Sequence, residues 1–120
     1  MKSYTDLEQS KKLAEILPIE SADMFYRDNG IDVKLMWEHI TQKVEHPCWS
    51  LAALLDTFDD IVVDDEGNEY SLKIFKEEGL YYINYYDRWK EVDNIETDCY
   101  YDLVDACYEM IIKLKERNLL

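Results

Sequence analysis

Between residues 61 and 86 three runs of β-forming residues are cut by two turn sequences, and no other stretch limits the fold so tightly. Ile61-Val62-Val63 is β-branched throughout. Asp64-Asp65-Glu66-Gly67-Asn68 turns the chain, with Gly67 free to take a positive φ. Tyr70, Leu72 and Ile74 then alternate with Ser71 and Lys73, which puts the two sets on opposite faces of a second strand. Glu77-Glu78-Gly79 turns the chain again. The third run, residues 80–86, is rich in aromatics that suit a pleated surface. Consecutive strands joined by short turns make an antiparallel meander. The apolar face of such a sheet must be covered. The expected class is therefore α+β: an antiparallel sheet of three or more strands packed by N-terminal, central and C-terminal helices.

Those helices are visible as patterns. The first is expected over about residues 6–17. Thr5 with Glu8 makes a capping box, and Ser3 with Asp6 competes for the same role. Leu7, Ser10, Leu13, Ala14 and Leu17 form its stripe, and Pro18 ends it by restricting Leu17. Pro47, suited to a first helical position, opens a central helix. Its apolar residues Trp49, Leu51, Ala52, Leu54, Leu55 and Phe58 surround most of the circumference, so it is expected to be buried, ending near Asp56 and Asp59. The last helix, about residues 103–117, has Asp102 at its N-cap and Asp105 in its first turn. Lys113, Lys115 and Arg117 lie at the far end, an order that complements the helix dipole. Leu103, Cys107, Met110, Ile111 and Leu114 form its buried stripe. Residues 19–46 are less legible. Met24-Phe25-Tyr26 reads as a strand, Asn29-Gly30 as a turn and Ile31-Asp32-Val33-Lys34-Leu35 as a second strand, while residues 35–44 read alternatively as a short helix.

A length of 120 residues is that of one domain, which buries roughly two thirds of the surface exposed by its unfolded form. We expect a single domain over residues 1–120. Three glycines and two prolines leave little room for a linker. The start Met1-Lys2-Ser3-Tyr4-Thr5-Asp6 is polar where a signal peptide needs an apolar stretch, so no targeting segment is expected, and no window approaches 18 consecutive apolar residues. Three cysteines, Cys48, Cys99 and Cys107, lack framework spacing and fit a reducing cytoplasm. Cys99 and Cys107, on one helix, would lie about 12 Å apart, beyond disulfide reach.

Charge narrows the partners. Acids number 27 and bases 13, for a net −14; residues 47–120 carry −11 of it. Phosphate binding needs a Lys/Arg surplus, so direct nucleic-acid contact and anionic membranes are not expected partners.

Several motifs invite chemistry and fall short of it. His39, His46 and Cys48 space as H-x6-H-x-C, without the four paired ligands of a structural zinc site; His46 as a helix cap and Cys48 as packing explain them better. Aligning Gly67 with the glycine of a calcium loop places Val62 and Lys73 at obligatory oxygen-ligand positions, so that motif fails and a solvated turn is expected. Asp32-Val33-Lys34, with Glu20 after Pro18-Ile19, resembles half of a metal-dependent nuclease site, but an acidic surface repels that substrate. Cys48 near His46 lacks an orienting group. Phosphate-binding and nucleophile-elbow glycine motifs are missing. No catalytic, cofactor-binding or metal-binding residues are assigned, and no cofactor is expected.

Aromatic residues carry more information. Tyr81, Tyr82, Tyr85, Tyr86, Trp89, Tyr100 and Tyr101 crowd into 21 positions. Alternation sends Tyr81, Ile83 and Tyr85 to one face of the third strand and Leu80, Tyr82 and Tyr86 to the other. One set must meet the helices. The other is covered by a further helix or presents rigid aromatic area beside carboxylates. The expected protein-contact residues are Tyr81, Tyr82, Tyr85, Tyr86 and Trp89, rimmed by Asp87, Glu91 and Asp93.

Two segments carry a resemblance. Leu17-Pro18-Ile19-Glu20-Ser21-Ala22-Asp23-Met24, followed by Pro47-Cys48-Trp49-Ser50-Leu51-Ala52-Ala53-Leu54-Leu55, is one. Val104-Asp105-Ala106-Cys107-Tyr108-Glu109-Met110-Ile111-Ile112-Lys113-Leu114 is the other. Together they resemble a family of small acidic proteins from Bacteroides-type gut bacteria and their phages or mobile elements. The meander and capped helix are similar to small phage α/β sandwich proteins. The resemblance implies an origin and supplies no activity. The resulting expectation is a non-enzymatic, phage- or mobile-element-related accessory protein acting through protein contacts, with a partner that is basic, or a second copy in a homodimer. Two alternatives stand beside it. One is a nucleic-acid mimic using Asp87, Glu91, Asp93, Glu96, Asp98, Asp102 and Asp105; the other is a small metal-dependent hydrolase or nuclease.

Overall fold

A computed structural model describes residues 1–27, 30–33 and 46–120. The chain is α+β with antiparallel sheets. It divides into two compact units, Lys2–Thr57 and Phe58–Leu120. Among the described residues no helix is long and apolar enough to cross a membrane.

In the N-terminal unit, helix α1 spans Leu7–Ala14 and starts one residue later than the expected capping box. Asp6 is the N-cap. Its carboxylate accepts from the Gln9 amide at 2.8 Å, and Gln9 Oε1 accepts from the Asp6 amide at 3.1 Å. Thr5 is unavailable for capping because its hydroxyl is used inside. It is buried, hydrogen-bonded to Ser10 Oγ at 2.7 Å, and accepts from the Trp49 amide at 3.2 Å. The helix stops at Ala14, short of the expected Leu17. The Ile16 and Leu17 amides both return to the Leu13 carbonyl, tightening the chain ahead of Pro18. Leu13 and Leu17 are buried, whereas Leu7 and Ala14 of the expected stripe are exposed.

Strands β1 (Met24–Arg27) and β2 (Gly30–Val33) form the expected antiparallel hairpin, with Met24 opposite Val33 and Arg27 opposite Gly30. Asn29 of the turn dipeptide, Leu35, and the alternative helix over 35–44 lie outside the described residues. Strand β3 (His46–Cys48) pairs with the other side of β1. Pro47 is thus a strand residue opposite Phe25, not a helix opener. In the order β2-β1-β3 it sits on an edge, where a missing N–H is tolerated. His46 is likewise in this strand and caps no helix. Helix α2 is short, Leu51–Asp56. Ser50 is its N-cap and accepts from the Ala53 amide at 3.2 Å, while its own hydroxyl donates to Asp23. Trp49 therefore precedes the helix. It is fully buried, and its indole N–H donates to Ser21 Oγ at 2.9 Å. Leu54 and Ala53 are the buried face of α2.

The C-terminal unit is a four-stranded meander, one strand more than the sequence pattern showed. Its strands are β4 (Ile61–Val63), β5 (Glu69–Glu77), β6 (Leu80–Asp87) and β7 (Val92–Glu96), in that spatial order. Strand β7 reads Val-Asp-Asn-Ile-Glu, with too little apolar alternation to announce itself. It forms because β6 offers an open edge, and a register shift between Tyr85 and Tyr86 accommodates it. Gly67 and Gly79 take φ of 85° and 81° in the two expected turns.

Helix α3 (Leu103–Glu116) follows, with Asp102 at the N-cap position. Its buried residues are Val104, Ala106, Cys107, Met110, Ile111 and Leu114. The stripe thus begins at Val104, and Leu103 is only half-buried. The helix packs on β6 and β7, and the fully buried Ile83, Tyr85 and Ile95 lie on one face of those strands, with Tyr85 opposite Ile95. Polar contacts fix its position: the Lys113 ammonium donates to the Glu96 carbonyl, and Glu109 accepts from the Asp98 amide at 2.9 Å.

The β4–β5 turn is organised by Asp64. Its carboxylate accepts from the amides of Glu66 and Asn68, from the Asn68 side chain, and from the Tyr70 hydroxyl at 2.6 Å. The Tyr70 and Asn68 bonds hold its pKa down to about 2, against an ordinary 3.8. A depressed carboxylate stabilises the fold above its unfolded pKa and loses that effect as pH falls through the folded value. An Asp64→Asn variant is therefore expected to be less stable than the parent at pH 5–7. The difference should shrink below about pH 4 and be nearly gone at about pH 2. Paired thermal melts across that range check it; a gap that stays constant with pH would show that the charge on Asp64 contributes nothing.

Candidate interaction surface

Pairing across the meander sorts its side chains onto two faces. In an antiparallel pair, directly opposed residues share a face. Val62 opposes Tyr70, Tyr70 opposes Asp87, and Leu72 opposes Tyr85, which itself opposes Ile95. This is the face on which α3 lies. The outer face carries Ser71 opposite Tyr86, Lys73 opposite Asn84, Phe75 opposite Tyr82, and Asp93 opposite Tyr86 from the other side. Ile61, opposite Ser71, extends it and is 45 % exposed.

The predicted contact residues fall into four groups. Tyr85 and Asp87 are buried and must be removed from any surface. Tyr85 reaches through the core to donate to the Asp59 carbonyl at 2.7 Å. Asp87 accepts from the Trp89 and Lys90 amides at 2.9 and 3.0 Å, so its carboxylate builds the β6–β7 turn and is also lost to any phosphate mimicry. Tyr82, Tyr86 and Asp93 share the outer face and are half-buried. Trp89 (78 % exposed) and Glu91 stand in the turn that Asp87 shapes. Tyr81 belongs to the opposite alternation; its backbone exchanges hydrogen bonds with Tyr100, and Lys76 Nζ lies 5.1 Å from its ring centroid.

Two residues of this surface were missed, Lys73 and Phe75. Phe75 stacks on Tyr82, with ring centroids 5.0 Å apart and planes 8° from parallel. Lys73 Nζ lies 5.0 Å from the Tyr86 ring centroid and 6.0 Å from that of Phe75, and pairs with Asp93 at 3.1 Å. The signal was present: counting outward from the Glu78-Gly79 turn opposes Phe75 to Tyr82 and Lys73 to Asn84. Burial, then the neighbouring Cys99 thiol and the Glu77 and Glu78 carboxylates, raise the Tyr82 phenol above its ordinary pKa. Such a surface can bind by apolar area, by π-faces that attract cations, and by carboxylates at the edges.

The other candidate chemistry is placed as follows. Cys48 is buried against Thr5, its sulfur 3.6 Å from Thr5 Oγ1, and burial above all raises its pKa. Burial pushes Cys107 up to about 12. Thiols so held are not thiolates at neutral pH. Among the described residues no three His, Cys, Asp or Glu side chains are grouped to hold a metal ion. His39 and Lys34 lie outside the described residues, as do the side chains around Asp32. Glu20 lines an open cleft of about 330 Å³ with Asp23 and Asp56. The four hydrogen bonds to Asp64 point inward at its own turn.

No protein-family model matches the chain, and no curated protein or solved structure shows significant similarity to it.

Proposed function

We propose that this chain is a non-enzymatic binding protein that acts through protein–protein contact on the outer face of β5 and β6. The observation that carries the reading is the row of Phe75, Tyr82 and Tyr86 on one sheet face, opposite the face held by α3. Rigid aromatic side chains give large contact area for little lost entropy, and they dominate binding energy where they occur in interfaces. The exposed indole of Trp89 and the carboxylates of Glu91 and Asp93 extend the surface toward the β6–β7 turn. The resemblance of residues 17–24, 47–55 and 104–114 to small acidic proteins of gut bacteria and their phages or mobile elements bears on origin alone.

The test is affinity capture from the host of origin with two baits, the parent and a Tyr82→Ala/Tyr86→Ala variant shown by circular dichroism to be folded. A partner held by the parent and lost by the variant is expected. Each substitution should weaken the complex by about 1 kcal/mol or more. Partners recovered equally by both baits would move the contact elsewhere.

A further inference from the structure

We propose that the outer face of β5–β6 takes a basic, extended protein segment whose lysine or arginine cations seat on the Tyr82 and Tyr86 rings. This rests on the reading that the face is a protein-contact surface, and it names the partner's chemistry.

The first observation is that the sheet already holds cations in this manner. Lys73 Nζ sits between the Tyr86 and Phe75 rings and is paired with Asp93, yet its side chain is 46 % exposed, so the seat is open to exchange. Lys76 occupies the Tyr81 ring at 5.1 Å. Electron-rich ring faces beside a carboxylate attract ammonium and guanidinium groups. Among the described residues cations are seated on Phe75, Tyr81 and Tyr86, and none on Tyr82.

The second observation is charge. Glu69, Glu77, Asp93 and Glu96 oppose Val63, Leu80, Tyr86 and Asn84, so all four share the outer face with Lys73. Arg88 pairs with Glu69 at 3.9 Å. The field of Glu77 and Glu78 is felt at the Tyr82 phenol. Four carboxylates against the Lys73 ammonium and the Arg88 guanidinium leave an acidic surplus that repels acidic partners and attracts basic ones.

Geometry sets the spacing. Tyr82 and Tyr86 are four residues apart on one strand, about 13 Å at strand rise. A partner in extended conformation matches that with cations at positions i and i+4.

The experiment uses the full chain and a blocked nine-residue peptide with arginines at i and i+4 among serine and threonine, titrated calorimetrically at 50 and 150 mM salt. A second peptide with glutamine for arginine is the control. The arginine peptide is expected to bind and the glutamine peptide to bind at least tenfold more weakly. A folded Tyr82→Leu/Tyr86→Leu variant, which keeps every charge, should lose at least tenfold for the arginine peptide. Lys73→Ala vacates the Tyr86 seat and should bind it severalfold more tightly. Equal binding by the ring variant would reduce the effect to nonspecific attraction by a −14 chain and overturn the proposal. So would no binding to the parent, equal binding of the glutamine peptide, or unchanged affinity in Lys73→Ala. If capture shows a partner that depends on Tyr82 and Tyr86 while the arginine peptide fails, only the basic class is wrong. If capture is indifferent to both tyrosines, the surface itself is wrong.

Discussion

Trp49→Ala is expected to destabilise the protein by about 3–5 kcal/mol, the range for removing a buried aromatic. Trp49 has no exposed surface, and it is held at both ends. Its backbone exchanges hydrogen bonds with Thr5, accepting from the Thr5 amide at 2.9 Å and donating to the Thr5 hydroxyl at 3.2 Å. Its indole N–H donates to Ser21 at 2.9 Å. Truncation leaves a cavity that the short neighbouring strands and the six-residue α2 are poorly placed to fill. Trp49→Phe separates the two contributions. It retains most of the apolar volume and loses the N–H, so a cost nearer 1–2 kcal/mol is expected, mainly from the Ser21 hydroxyl left without its donor and from lost volume. Urea unfolding followed by far-ultraviolet circular dichroism measures both. A loss below about 1 kcal/mol for Trp49→Ala would show that this residue is not the anchor of the N-terminal unit.

Tyr85 is the corresponding anchor in the C-terminal unit. Tyr85→Ala should cost about 3–5 kcal/mol and Tyr85→Phe about 0.5–1.5 kcal/mol. The ring is fully buried between paired Leu72 and Ile95, on the face that meets α3. Its hydroxyl donates to the Asp59 carbonyl, and burial keeps the phenol protonated far above its ordinary range. The gap between the two variants apportions ring and hydroxyl. Equal losses in denaturant unfolding would mean that the hydroxyl alone matters and that the ring packs loosely.

Much of the local structure was legible because it depends on neighbours in sequence. Alternation and the Gly67 and Gly79 turns gave the meander, since positive φ there is available to glycine. The C-terminal helix was legible from its stripe and charge order. Two readings failed, and one strand gave no signal, where a distant group competed. Thr5 looked like a cap, but its hydroxyl is drawn to Trp49 and Ser10, and the cap moved to Asp6. Pro47 looked like a helix start, but β1 offered an edge to pair with. The strand at residues 92–96 had almost no pattern and exists because β6 had an unpaired side.

The contact surface divides in the same way. Tyrosine abundance and the period of two along β6 are properties of the chain itself, and they separated Tyr82 and Tyr86 from Ile83 and Tyr85 before any fold was known. Which set lies beneath a helix could not be decided locally, because both are aromatic and apolar enough to be core. That choice was made by α3, whose buried stripe settles on the Ile83–Tyr85–Ile95 face. The same packing turned Asp87 inward to build a turn and left Asp93 outward, where it meets Lys73 from a strand twenty residues away. Side-chain period is written in the backbone, whereas burial depends on which surfaces meet, and only the tertiary structure sets that.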